Sequence, residues 1–312
     1  MKRASYLFAI LVILVVIAAG CTGSPSVPKT GVESGSNTVS TPVANTVAPT
    51  AAAASAKPTT LVLAAQWEPK TVDPHEYGYT GQRIGYTESL TGVDDELNVV
   101  PSLATSWKSS ADLKTWTFTL RDAVLFHDGT PFIADAMKKS LERSLVKSKA
   151  FASVPIIEIE APDDKTLVVY LSKPFPALPA YLSKGEASAL AASSWNANGT
   201  LIKPVGTGPF IFDSWKPKEQ IIAVKNTQYW GQKATVDKVV YRIIPEAPTR
   251  GMLLKSGEAQ VSIILPPDIA TGYMNNPEYT VQQQEIPRVR MLQFNNGRAP
   301  FNDKRVRQAV SY

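Results

Sequence analysis

Cys21 is the only cysteine among 312 residues. No disulfide can staple the chain internally, so any fold must be held by its own buried core. Hydrophobic residues make up 44% of the chain and charged residues 19%, which is enough core material for most of the length to fold. That material is unevenly spread. From Thr22 to Thr60 the chain turns to Ser, Thr, Pro, Ala, Val and Gly, with only Lys29, Glu33 and Lys57 charged and an alanine run from Ala51 to Ala54. Such a stretch has neither a helical nor a strand period. It cannot bury enough surface to offset its ordering entropy, and it reads as a flexible leash over 21–59.

Ahead of the leash stands an export signal. Lys2 and Arg3 give a positive start, and Leu7 to Ala19 is an almost unbroken apolar run. The run is shorter than the roughly 18–20 residues of a permanent membrane span. It ends in Ala18-Ala19-Gly20-Cys21, which resembles a bacterial lipoprotein box with Ala18 where Leu is commonest. Residues 1–20 are therefore expected to be a lipoprotein signal peptide, and Cys21 the lipid-bearing first residue of the mature chain. The alternative is an ordinary secretory signal with a coincidental cysteine. An acylated Cys21 would carry enough hydrocarbon for stable anchoring outside the cytoplasmic membrane.

The remaining chemistry excludes more than it offers. His75 and His127 are the only histidines. There is no His-Glu-x-x-His, no Gly-x-Ser-x-Gly and no Gly-x₄-Gly-Lys-Ser/Thr. Zinc sites built on Cys₄ or Cys₂His₂ lack their ligands. The net charge is +5, and falls to +3 without Lys2 and Arg3; nothing concentrates it on a stripe that nucleic acid would need. No catalytic residue, metal site, cofactor or nucleic-acid partner is expected.

From Thr60 the texture is that of a folded domain. Thr60 to Gln66 reads as a buried strand. Thr115 to Arg121 alternates Trp116, Phe118 and Leu120 with three threonines, the pattern of a half-buried strand. Further strands are expected over 156–159, 166–171, 210–212, 220–224 and 236–244. Helices are expected over 131–147, with Thr130 as cap and Met137, Leu141 and Leu145 on one face, over 248–257, and over 303–312. The fold class is α/β, or mixed α+β. The last helix starts at Asp303 and stops without Gly, Pro or a polar tail, which is expected of a truncated chain.

Several runs together then resemble a known family: Val72-Asp73-Pro74-His75, Tyr86 to Leu90, Pro101 to Trp107, Trp116 to Asp122, Phe126 to Pro131, Gly206 to Phe210, Tyr229-Trp230-Gly231, Arg250 with Leu254 to Glu258, and Pro300 to Ala309. Each is weak alone, but their shared order is specific. It is similar to the extracellular solute-binding proteins of family 5, the dipeptide-, oligopeptide- and nickel-binding receptors of ABC importers. The resemblance implies a periplasmic-binding-protein-like fold of two lobes about a hinge, with 60–295 forming most of lobe I and a subdomain inserted at about 86–203. Val289 to Asn295 would be the strand crossing between lobes, and 296–312 the start of lobe II, whose remainder is missing. It further implies a monomeric, extracytoplasmic receptor that captures a peptide or other small solute and delivers it to permease subunits.

The resemblance places Tyr77, Gly78, Tyr79 and Thr80 where peptide-binding relatives run a strand edge beside the ligand. The expectation is that their backbone amides pair with an extended peptide and the two tyrosines add apolar walls with polar tips. A solvated surface loop is the alternative. Asp73-Pro74-His75 is expected to be a structural turn, Gly206 to Phe210 a tight turn ahead of a strand, Arg121-Asp122 an ion pair, and His127 a satisfied loop histidine. Trp107, Trp116 and Trp230 are assigned to the core, and Lys138, Lys139, Lys147 and Lys149 to a solvated face. Two rival functions remain. One is a secreted hydrolase using carboxylates such as Glu88 or Asp128, although no spacing joins two of them across a cleft. The other is a non-binding remnant of the receptor.

Overall fold

The computed structural model of the chain describes residues 59–283 and 291–310. The expected signal peptide, Cys21 and all of the linker but Thr59 lie outside the described residues. Among the described residues no helix is long and apolar enough to cross a membrane. The chain divides into two units, one ending at Ile264 and one beginning at Leu265.

In chain order the first unit contains β1 (Thr60–Ala65), α1 (Tyr79–Ile84), β2 (Thr91–Val93), β3 (Val99–Pro101), β4 (Ala104–Ser109) and β5 (Thr115–Leu120). It continues with α2 (Ala134–Lys147), β6 (Ile156–Asp163), β7 (Thr166–Leu171), α3 (Leu178–Tyr181), β8 (Phe210–Lys216), β9 (Gln220–Lys225), β10 (Lys238–Ile243), α4 (Ala247–Lys255) and β11 (Val261–Ser262). The second unit contains α5 (Pro267–Met274) and α6 (Lys304–Ala309), the latter capped by Asp303, whose side chain accepts from the Arg305 amide. Residues 291–295 are not in a strand, so the described part of the expected crossing strand does not form one.

Two larger sheets and one hairpin organise the first unit. A five-stranded sheet runs β11-β1-β10-β9-β8, with β1 parallel to both of its neighbours and the remaining pairs antiparallel. A four-stranded antiparallel sheet runs β4-β5-β7-β6, and β2 pairs with β3 alone. The alternation in β5 works as expected. Trp116, Phe118 and Leu120 are 7%, 0% and 3% exposed; in register Trp116 and Phe118 face Val169 and Leu167 of β7 and Leu120 faces Ala104 of β4, the cross-strand pairs that stabilise a sheet. Helix α2 covers this core with Ala134, Met137 and Leu141. A separate core under the five-stranded sheet gathers Ala65, Ile84, Tyr86, Phe212, Ile221, Val239 and Tyr241.

Helix α2 begins later than expected. Thr130 does not cap it, because its amide and hydroxyl are both taken by the Asp128 carboxylate. Pro131 pairs with Leu125 in an isolated bridge. Turn chemistry local to Asp128 thus outcompetes the capping role. The expected Arg121–Asp122 ion pair also gives way. Asp122 pairs with Lys165, and Arg121 donates to the Ser102 carbonyl while its guanidinium lies 4.2 Å over the Trp230 ring.

Two leucines sit in the left-handed region, Leu97 at φ 66° and Leu113 at φ 56°, where a side chain costs about 1 kcal/mol or more. They differ in what offsets that cost. Leu97 is 57% exposed at the tip of the β2–β3 hairpin, whereas Leu113 packs against the four-stranded sheet's core. Leu97→Gly is expected to raise the unfolding free energy by about 0.5–1 kcal/mol, and Leu113→Gly to lower it or leave it unchanged, since the lost packing cancels the relief. Urea titration of both variants checks the contrast; a destabilised Leu97→Gly would contradict it.

Candidate functional site

The parallel strands β1, β10 and β11 end on the same side of their sheet, and the carboxyl ends of parallel strands are where open α/β sheets place ligands. Trp67 lies just past the end of β1. Its carbonyl accepts from the Tyr241 hydroxyl of β10 at 3.0 Å, and its ring meets Tyr79 edge-on at 6.1 Å. The Arg83 guanidinium lies 4.0 Å from the Tyr79 ring centre and 5.3 Å from that of Trp67. Trp67, Tyr77 and Arg83 are part-buried, and Tyr79 is 45% exposed. The result is an aromatic shelf with a cation set in it, open on the Tyr79 side.

The segment carrying the shelf is not a strand edge. Tyr79 and Thr80 open helix α1, and Gly78 precedes it with helical dihedrals. Gly85 ends the helix in the left-handed conformation, φ 87°, with its amide and that of Tyr86 both returning to the Gly81 carbonyl; this Gly-terminated closure is what makes a short helix here. Pairing of a peptide with an extended 77–80 edge is thereby excluded. Thr80 is 3% exposed and Gly78 is buried. A Cβ on Gly78 would fall 1.9 Å from the carbonyl carbon of Gly185. Gly78 thus allows two backbones to touch, and Tyr77 and Tyr79 are the members of the four that keep exposed surface.

Beneath the shelf the chain is tied down by charge. Asp73 and His75 form the expected turn, with the Asp73 carbonyl accepting from Glu76 and Tyr77, but they also enter a buried network that sequence spacing does not reveal. Arg143 of α2 donates through both terminal nitrogens to the Asp73 carboxylate, and through Nη1 to His75 Nδ1 at 2.9 Å. Since Nδ1 accepts, Nε2 carries the proton and donates to the Ser188 carbonyl at 3.0 Å. Ser140 bonds the same carbonyl. Burial would raise the Asp73 carboxyl, but the bonds and charge of Arg143 outweigh it and hold the group below the usual range. Burial pushes His75 down to about 4.

A second buried carboxylate gathers the runs quoted above. Glu88 accepts from Thr207 Oγ1 at 2.8 Å, Tyr229 Oη at 2.7 Å and Trp230 Nε1 at 3.0 Å. Burial raises it, and these bonds with the Arg121 charge oppose the rise. The Gly206–Phe210 run is no tight turn. It lies along Tyr86 and Gly85 so closely that a Cβ on Gly206 would sit 2.1 Å from the Tyr86 carbonyl oxygen. His127 donates to the Gly208 carbonyl at 3.0 Å, but its Nδ1 is buried without a partner, and burial brings it to about 4. Trp116 is core, with Trp107 and Trp230 packed against it. Lys139 is well exposed and Lys138 and Lys147 partly so, each paired with a carboxylate.

A cavity of about 320 Å³ beside Arg143, Trp195 and Gly199 is a weaker candidate, because Arg143 is committed to Asp73, His75 and the Gly199 carbonyl. Among the described residues, no group of three or more His, Cys, Asp or Glu side chains could hold a metal ion. Sequence reading named Tyr77 and Tyr79 but not Trp67 and Arg83, which the fold brings beside Tyr79, nor the buried Tyr241 that bonds the Trp67 carbonyl. The one local signal was the four-residue spacing from Tyr79 to Arg83, which stacks them on a helix.

Residues 98–312 match the family described as bacterial extracellular solute-binding proteins, family 5. The chain belongs to that family. It is 32% identical over 269 residues to the probable D,D-dipeptide-binding periplasmic protein DdpA of Escherichia coli, covering 81% of this chain and 52% of the relative. It is also 32% identical over 237 residues to the nickel-binding periplasmic protein of the same organism, covering 72% of this chain and 45% of the relative. The crystal structure of NikZ from Campylobacter jejuni in complex with Ni(L-His) superposes with a TM-score of 0.72 at 26% identity, covering 81% of this chain and 52% of the other. The chain thus spans about half the length of the curated relatives it matches, and its α/β architecture is that of the periplasmic binding proteins.

The two histidines give the fold an acid dependence of definite sign. Unfolded, each binds a proton near pH 6.5; folded, each stays neutral to about 4. Their contribution is complete above about pH 6.5 and is lost as pH falls towards 4, at about 1–3 kcal/mol per ring. Denaturant melts at steps between pH 7.5 and 4 should show stability falling throughout that window, whereas a flat profile would contradict the buried neutral rings.

Proposed function

We propose that this chain is the solute-capturing polypeptide of an ABC importer. It is tethered outside the cytoplasmic membrane through lipid on Cys21, stands off on the 21–59 leash, and captures a small solute, foremost a peptide, for delivery to permease subunits. The observation that carries the reading is the part-exposed aromatic shelf of Trp67, Tyr77 and Tyr79 at the carboxyl ends of the parallel strands, in a chain of this family. The named relatives are binding proteins for a dipeptide and for nickel, which favours a receptor with no resident cofactor and no covalent step. On this reading residues 60–295 are lobe I of a monomeric receptor, with 86–203 as an inserted subdomain. The four-stranded sheet lies wholly inside that insert and has its own core, which supports the division. Residues 296–312 open lobe II, and capture works by lobe closure, with the solute favouring the closed state through its contacts there.

The hydrolase reading loses its candidates. Glu88 is saturated by three donors, and Asp128 is bonded to Thr130 and Ser193. Bonds of this kind favour a structural role for both carboxylates. The remnant reading is met by the same experiment as the receptor. Trialanine binding, followed by titration calorimetry, is expected for the chain, and Tyr79→Ala should weaken it about ten-fold or more, equivalent to ~1.4 kcal/mol, without lowering the melting temperature. Equal affinity in the variant would remove the shelf from the site, and an absence of trialanine binding would favour the remnant.

A further inference from the structure

Arg83, which is part-buried, differs from Arg143 and Arg250 in what its terminal nitrogens meet, although each of the three has one buried nitrogen without a partner. Arg143 spends its terminal nitrogens on a carboxylate, an imidazole and a carbonyl. Arg250 gives Nη1 to the Ile244 and Pro245 carbonyls and Nη2 to that of Ile264. Arg83 has a buried Nη1 without a hydrogen-bond partner, and among the described residues it makes no ion pair. It shares a side-chain hydrogen bond with Tyr241, the Tyr77 phenol lies near it, and its contacts with Tyr79 and Trp67 are to ring faces. Ring contacts use a guanidinium's charge but none of its five N–H donors. A desolvated cation with donors to spare is costly to keep unless a counter-ion completes it.

We propose that Arg83 is the anchor for a carboxylate of the captured solute, so that the shelf selects solutes ending in, or carrying, a carboxylate beside the Tyr79 ring. This deepens the receptor reading and rests on it. The planar guanidinium matches a carboxylate through two parallel N–H···O bonds, a match that Lys could not reproduce. Trp67 and Tyr79 exclude water from one side of that pair and so strengthen it. The cation's burial also holds its own pKa below the usual arginine range, the direction expected where no anion yet faces it. The carboxylate can be the chain end of a peptide or lie on one of its side chains, since both present the same group.

The test is native mass spectrometry and calorimetry on the whole chain with three probes: trialanine, trialanine amide and Ala-Glu-Ala amide. The wild type is expected to bind trialanine about ten-fold more tightly than its amide, and Ala-Glu-Ala amide to recover the affinity only if a side-chain carboxylate reaches Arg83. Arg83→Gln should abolish the preference for acid over amide, while Tyr79→Ala weakens all probes alike. Acid and amide binding equally well, or a preference that survives Arg83→Gln, would overturn the anchor and leave the receptor standing. Failure of the wild type to bind any probe would sink the receptor reading and this one with it. A second measurement needs no ligand. If Arg83 waits for an anion, Arg83→Met leaves the melting temperature within about 2 °C of wild type or raises it; a fall of more than about 5 °C would make Arg83 a structural residue and overturn the proposal.

Discussion

The Arg143 guanidinium holds the site to the body of the protein. It reaches from α2 to the Asp73 carboxylate and the His75 ring, and the turn these two residues form leads straight into Tyr77 and Tyr79. Breaking a buried pair of this kind strands a charge and costs about 3–5 kcal/mol, so the geometry of the shelf is coupled to the packing of a helix far away in sequence. Ser140 and Ser144 complete the attachment by spending their hydroxyls on the Ser188 and Glu186 carbonyls. That use of serine beside Ala134, Met137 and Leu141 on the buried face of the helix ties the 185–188 segment down against Gly78.

Glu88 performs the corresponding task between the two sheets. Its donors come from the segment before β8 and from the Tyr229-Trp230 pair after β9, while Arg121, at the end of β5, covers the Trp230 face. The runs that make the family recognisable are in large part the residues that build this joint. They fix the frame of the first unit.

The sheet strands were legible in the sequence because their periodicity is local. Trp116, Phe118 and Leu120 alternate, and Thr166–Leu171 is continuous β-former. What misled was competition between local signals. Thr130-Pro131 looks like a helix start, yet Asp128 claims the threonine first. Tyr77 to Thr80 looks like an edge, yet Gly85 closes a helix just beyond it. Trp67, Arg83, Tyr241 and Arg143 were not legible at all as a group, since only the pairing of β1 with β10 and the docking of α2 bring them together.

Strand β1 lies inside the five-stranded sheet, between β11 and β10, but both of its partners are made late. The link between Thr59 and Asp237 joins positions 178 residues apart, and β11 comes later still. The first strand to be synthesised therefore cannot be paired until nearly the whole first unit exists, and such non-local pairing is slow to form. The four-stranded sheet, whose strands are neighbours in sequence, meets no such delay. Folding of the first unit is thereby staged by its topology, with the sheet beside the aromatic shelf completed only once β10 and β11 have been made.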